Sequence, residues 1–349
     1  MTIERTSLAT GAAVLAIIGG LWSVDLFLAR TESRETSTEA EHDFQNGARL
    51  MREHQPDEAV DEFRKAYALD RGDQRYALQL AAALIAAGKT AEAQTMLNEI
   101  LESSPNNGDA NLLEARLMAR EGKTAEATSY YHRAIFGIWT VDALTRRVQV
   151  RMELADFLAS RGSDKELLAE LLPLETDAHD LPTRKQVAHL YLVAHSPARS
   201  AAAYRVLIRE DPKDRSDYAG LGQAELALGN YRAAESAFRN ADAPDRAALA
   251  AEMTSLDPTP RNLSAAEKVA RAIRILQLAR DSLARCAAAD PLVTQAGDLL
   301  AQKVRTPTNE LAEQRLDLAQ QLWAARGTKC GPTTSDEESL RLVLSKLSG

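Results

Sequence analysis

The chain has 349 residues and a formal net charge of −8, with acidic and basic residues interspersed, which excludes the clustered positive face of a nucleic-acid binder. Aromatic residues make up only 5% while alanine is abundant, a composition that favours a helical array over a β-rich or α/β enzyme.

Taken from the amino terminus, the first feature is apolar. Leu8 through Val24 carries no charge, and Leu26-Phe27-Leu28-Ala29 extends the run past Asp25. About 20 apolar residues cross a bilayer as a helix, so residues 8–29 are predicted to form a retained transmembrane anchor. Trp22 would sit at the headgroup level, and Asp25 is near enough to the end to reach the interface. A cleaved secretory signal is the competing reading. Against it, Arg5 is offset by Glu4, and Phe27 two before Ala29 spoils a small-x-small cleavage site. The flanking charges nearly balance, with Arg5 on one side and Arg30 and Arg34 on the other. Cys286 and Cys330, the only cysteines and 44 apart, permit one disulfide in an oxidising compartment; two unpaired thiols are the alternative. The expectation is a single-pass membrane protein with an extracytoplasmic, periplasmic body, a cytoplasmic-facing body being the other arrangement. Residues 30–39 are polar and read as a spacer.

From residue 40 the sequence becomes periodic. Gly88-Lys89-Thr90-Ala91-Glu92-Ala93 recurs 34 residues on as Gly122-Lys123-Thr124-Ala125-Glu126-Ala127. In the same step, Ala59, Ala93 and Ala127 are each followed four residues later by Phe63, Leu97 and Tyr131, and three further by Ala66, Ile100 and Ala134. That is one stripe of an amphipathic helix, and a fixed period of this size means stacked supersecondary units. Unit 74–107 adds Leu80, Ala81, Leu84 and Pro105; unit 215–248 has Tyr218, Leu221, Gly222, Gly229, Ala234, Phe238 and Ala241. In units 40–73 and 181–214, His54 and His195 take the place of the turn glycine, and Ser200 that of the packing alanine. A degenerate unit near 148–180 starts six residues out of phase, which predicts a longer helix or loop before it.

This pattern resembles the tetratricopeptide repeat, a 34-residue helix-turn-helix unit, over about 40–248 in roughly six copies. The resemblance implies an all-α, right-handed solenoid of helical hairpins that binds proteins or peptides in a concave groove lined by the first helix of each unit. By position, the groove residues would be Phe44, Met51, Arg75, Leu78, Ile85, Asp109, Leu112 and Arg116, continued by Gln149, Met152, Asp156, Lys185, His189, Ser216 and Gln223. Leu78, Ile85 and Leu112 could equally pack against neighbouring helices. The basic and Asn set of the family's two-carboxylate clamp is not recognisable here.

After 248 the period is lost. Asp257-Pro258-Thr259-Pro260 reads as a turn, and Ser264-Ala265-Ala266-Glu267 as a capping box opening a helix to about 288. Further helices are predicted at 292–304, at 308–325, and after a second capping box, Ser335-Asp336-Glu337-Glu338. Residues 249–349 therefore read as a helical cap on the open end of the array. No His-Glu-x-x-His, phosphate loop or nucleophile elbow appears, so no catalysis, cofactor or metal is expected. The reading is a membrane-anchored scaffold for envelope assembly or chaperoning. Its rivals are a self-associating structural protein, a homo-oligomer in effect, and an accessory factor using Cys286 and Cys330 in redox chemistry.

Overall fold

The computed structural model describes residues 35–348, together with Trp22. Apart from Trp22, the expected anchor at 8–29 lies outside the described residues, as does the spacer up to 34. Among the described residues no helix is long and apolar enough to cross a membrane. They are helical throughout, with an isolated bridge between Asn107 and Ile138 as the only β-type pairing among them.

The first helix, α1, is described from 35 to 52, so the residues expected to end the spacer at 39 are already helical. It pairs with α2 (Pro56–Leu69). Next come α3 (Gln74–Ala86) with α4 (Thr90–Ser103), and α5 (Gly108–Arg120) with α6 (Thr124–Ile135). Of the first helices, α3 and α5 begin on capping side chains: Asp73 accepts from the Arg75 amide and Asn107 from the Ala110 amide. The turns inside the pairs follow one rule. Gly88, Gly122, Gly162 and Gly229 all have φ between 67 and 77°, the left-handed conformation that ends a helix and lets the next begin two residues later. His54 (φ 59°) and His195 (φ 49°) hold that same conformation where glycine is missing.

Burial follows the 34-residue period. Ala59, Ala93 and Ala127 are each fully buried, as are Phe63 and Leu97, and Tyr131 is almost so. The small residues let paired helices approach, and the large ones fill the space between pairs. Ser200, standing for the alanine, is also fully buried and donates to the Ala188 carbonyl at 2.7 Å, so its hydroxyl is not left unsatisfied.

The chain divides into two compact units between Phe157 and Leu158, inside α7 (Ala143–Arg161). In the first unit, residues 136–142 form a loop before the 19-residue α7, where the repeat loses phase. The second unit continues with α8 (Asp164–Asp177), α9 (Leu181–Val193), α10 (Pro197–Glu210), α11 (Arg215–Ala227) and α12 (Tyr231–Asn240). A helix the sequence reading did not separate, α13 (Pro244–Leu256), follows, so position 248 lies inside a helix. Asp242 takes the left-handed turn conformation and Pro244 starts α13.

Beyond the 257–264 connection lie α14 (Ala265–Ala287), α15 (Pro291–Ala301), α16 (Asn309–Lys329) and α17 (Glu338–Ser348). The Ser264–Glu267 capping box forms. The second box differs from the expected one: Thr334, not Ser335, is the cap, with Glu337 reaching back to it across a short 3-10 turn. Tyr231, Met253 and Leu256 share one core with Ile275, Leu276, Leu283, Leu318, Leu322, Val343 and Leu344; α14 and α17 pack on α13, and α16 packs on α14. Cys286 and Cys330 are joined as a disulfide, Cα atoms 5.8 Å apart, linking the ends of α14 and α16; Cys286 is exposed and Cys330 half-buried.

Candidate functional site: a groove across the first helices

In the first unit, α1, α3 and α5 present one face to a groove of about 460 Å³. Six of the positions expected from the repeat line it: Phe44, Arg75, Leu78, Asp109, Leu112 and Arg116. Their 34-residue spacing explains why. Phe44, Leu78 and Leu112 occupy equivalent positions of successive first helices and so form an apolar row. Leu112 is buried, whereas Phe44 and Leu78 are half-buried and also pack on the core of the first pairs.

Arginines flank this row, and each is held by carboxylates. Arg75 lies against Phe44 and Tyr76, 5.6 and 5.4 Å from the ring centroids, and bonds Asp73 at 2.7 Å and Glu41 at 3.4 Å. Its hydrogen bonds draw the Asp73 carboxyl below its ordinary range. Arg116 makes a two-pronged contact with Glu153, both bonds 2.7 Å, and Tyr131 donates to the same carboxylate at 2.9 Å. Burial alone would push Glu153 up, but Arg116 and Tyr131 outweigh it and hold it ionised. Arg146, from α7, bonds Asp109 at 3.2 Å and lies 5.2 Å from the Trp139 ring. Gln74, Gln79 and Asn107 line the groove between these ion pairs, and Asn107 donates to Gln74 at 3.3 Å.

The remaining candidates lie elsewhere. Met51 and Ile85 pack with the core of the first pairs, and Met152 is buried in α7. Gln149 and Asp156 are exposed on α7. Lys185, His189, Ser216 and Gln223 belong to the second unit. There Lys185 is tied to Asp214, to Ser216 at 3.2 Å and to Asp217 at 3.3 Å, and so braces α9 against α11. Ile138, Thr140 and Arg146 also line the first groove and were missed, because they follow the point where the period breaks. Among the described residues no group of His, Cys, Asp or Glu could hold a metal ion.

The paired helices, turn geometry and periodic burial define a helical-repeat array. A Tetratricopeptide repeat family profile matches residues 50–117 and 85–136, and this segment consists of tetratricopeptide repeats. Among solved structures, the chain is similar to a tetratricopeptide repeat protein from Parabacteroides merdae (13% identity, 88% of this chain and 99% of that one, TM-score 0.41). It is also similar to the C-terminal part of a TPR repeat-containing protein from Cytophaga hutchinsonii (12%, 86% and 99%, TM-score 0.45). A third similar structure is the TPR2AB domain of yeast Sti1 in complex with pHSP90 (17%, 89% and 99%, TM-score 0.31). No curated protein matches the sequence.

Proposed function

We propose that this protein is a membrane-tethered scaffold that holds an extended segment of a partner protein in the α1/α3/α5 groove. The observation that carries the reading is the convergence of Phe44, Leu78 and Leu112 with Gln74, Gln79 and Asn107 in one trough. An extended peptide needs main-chain donors and acceptors together with pockets for alternate side chains, and an amide-studded apolar row supplies both. The arginines are already matched by carboxylates, so the segment that fits is mixed apolar and polar rather than strongly acidic. The tether is the uncharged run Leu8 to Val24, which would raise the effective concentration of any partner on the same surface. The body faces an oxidising compartment, a placement supported by the exposed Cys286 in its disulfide with Cys330.

A photo-crosslinking residue at Gln79 should capture the partner in membrane fractions, while one at Ala91, outside the groove, should not. With the captured segment as a labelled peptide, Leu78→Lys should weaken binding about tenfold, the loss of one apolar anchor contact of about 1.4 kcal/mol. Unchanged affinity in a folded variant moves the binding surface away from this groove. For the tether, full-length protein should stay with membranes through high salt and alkaline carbonate.

A further inference from the structure

The most exposed large apolar side chains of the repeat region cluster beside the groove, and of them only Ile138 also lines it. Phe136, Ile138, Val141 and Leu144 are between 71 and 76% exposed, all within nine residues of the loop between α6 and α7 and the start of α7. The loop that displays them is built, not frayed. Trp139 points inward, buried against Gly108, and its indole N–H donates to the Ala134 carbonyl at 2.9 Å. Ile138 exchanges backbone hydrogen bonds with Asn106 and Gly108 at 2.7 and 3.0 Å. A rigid knob with four apolar side chains facing water marks an interaction surface.

Its place and charge say what it meets. Between His132 and Met152 the sequence holds four arginines and one carboxylate, against −8 for the whole chain. Arg133 and Arg147 are exposed beside the loop, Arg133 stacking on Tyr130 at 5.0 Å. The loop also lies on the edge at which the described part of α1 begins. It pairs with Asn107 at the start of α5; Asn107 reaches Gln74 at the start of α3; Arg75 reaches Glu41 of α1. From Glu41, α1 runs outward to residue 35, about 9 Å further at 1.5 Å per residue. In the sequence, the apolar run Leu8 to Val24 ends eleven residues before residue 35. An exposed, apolar, arginine-flanked loop on that edge fits an anionic lipid surface.

We propose that the 136–144 segment is a second membrane contact, in which Phe136, Ile138, Val141 and Leu144 enter the interfacial layer of an anionic bilayer and Arg133 and Arg147 meet its headgroups. The inference rests on the membrane tether proposed above; of its four apolar residues only Ile138 is shared with the peptide groove. Two contacts would fix the orientation of the first unit on the bilayer.

The test uses the full chain carrying Val141→Cys or, as control, Ala91→Cys, spin-labelled; the native cysteines are paired and do not react. It is reconstituted in vesicles of phosphatidylcholine with or without phosphatidylglycerol. With phosphatidylglycerol, the label at 141 should gain access to oxygen and lose access to a water-soluble nickel chelate several-fold relative to 91. Replacing Phe136, Ile138 and Leu144 by Ser should abolish the shielding, and Arg147→Glu should weaken it. A label at 141 as water-accessible as at 91 on co-floating protein overturns the loop contact alone. Protein that stays off the vesicles overturns both tether and loop. Shielding that ignores phosphatidylglycerol and grows with protein-to-lipid ratio means that a second copy covers the knob, which also refutes the proposal.

Discussion

The buried ionic cluster between α14, α16 and the 3-10 turn offers a sharp test of how the C-terminal helices are held. Glu337 has a side chain only 4% exposed and is bonded by Arg326 at 2.7 Å, by Arg285 and by the Ser282 hydroxyl. Arg326 is 8% exposed and donates further to the Gly331 and Pro332 carbonyls at 2.6 and 3.0 Å. Burial pushes the Glu337 carboxyl upward, but the Ser282 and Thr334 hydrogen bonds and the Arg326 charge outweigh it and hold it at about 2, against an ordinary 4.5. Because the folded value is depressed, the stabilisation is fully present above about pH 4.5 and is lost as pH falls through about 2. It amounts to about 3 kcal/mol at pH 7 and about 1.5 kcal/mol at pH 3. Glu337→Gln keeps the shape, removes the charge and leaves Arg326 buried without its counter-ion. Urea unfolding followed by circular dichroism, with hydrogen exchange assigning the transition to α14, α16 and α17, should show a loss of about 3 kcal/mol at pH 7 that shrinks by about half at pH 3. An equal loss at both pH values would mean that shape and hydrogen bonding, not charge, govern the cluster.

Two further perturbations test the packing. Replacing Cys286 and Cys330 by Ser opens a covalent loop of 44 residues and should cost about 2–4 kcal/mol in the stability of the C-terminal helices, read by the same urea titration in oxidised and reduced wild type. At Gly222 an added Cβ would lie 2.6 Å from the Phe238 ring, so Gly222→Ala should cost about 1–3 kcal/mol. Adding Phe238→Leu should recover part of that loss in a double-mutant cycle; strict additivity would show that the two residues do not constrain each other.

The hairpins of the repeat region were legible because they obey a period. Ala59, Ala93 and Ala127, and the large residues four places after each, are buried as one stripe requires. Even the departures carried meaning, since His54 and His195 sit in the backbone conformation of the glycine they replace. The groove was legible as far as the period extends, through Phe44, Leu78 and Leu112. It failed at Ile138 and Arg146, which a positional rule cannot reach once the phase is lost, and at Ile85, which equal spacing cannot distinguish from a core residue. The helix α13 escaped because Ala241 to Ala243 hold no glycine, although Pro244 was a usable start signal. The Thr334 cap escaped by one place, because Ser335 also reads as a capping residue and only geometry chooses between adjacent hydroxyls.

The disulfide has a topological effect apart from its energy. The stretch between Cys286 and Cys330 contains all of α15, where only Ala296 and Leu299 are buried, and the non-helical residues 302–308. A protease nick in that stretch would leave two fragments leashed through sulfur, migrating as a single band until a reductant parts them. Damage there is thus survivable: the severed ends stay beside the helices they came from, and α16 and α17 are not shed.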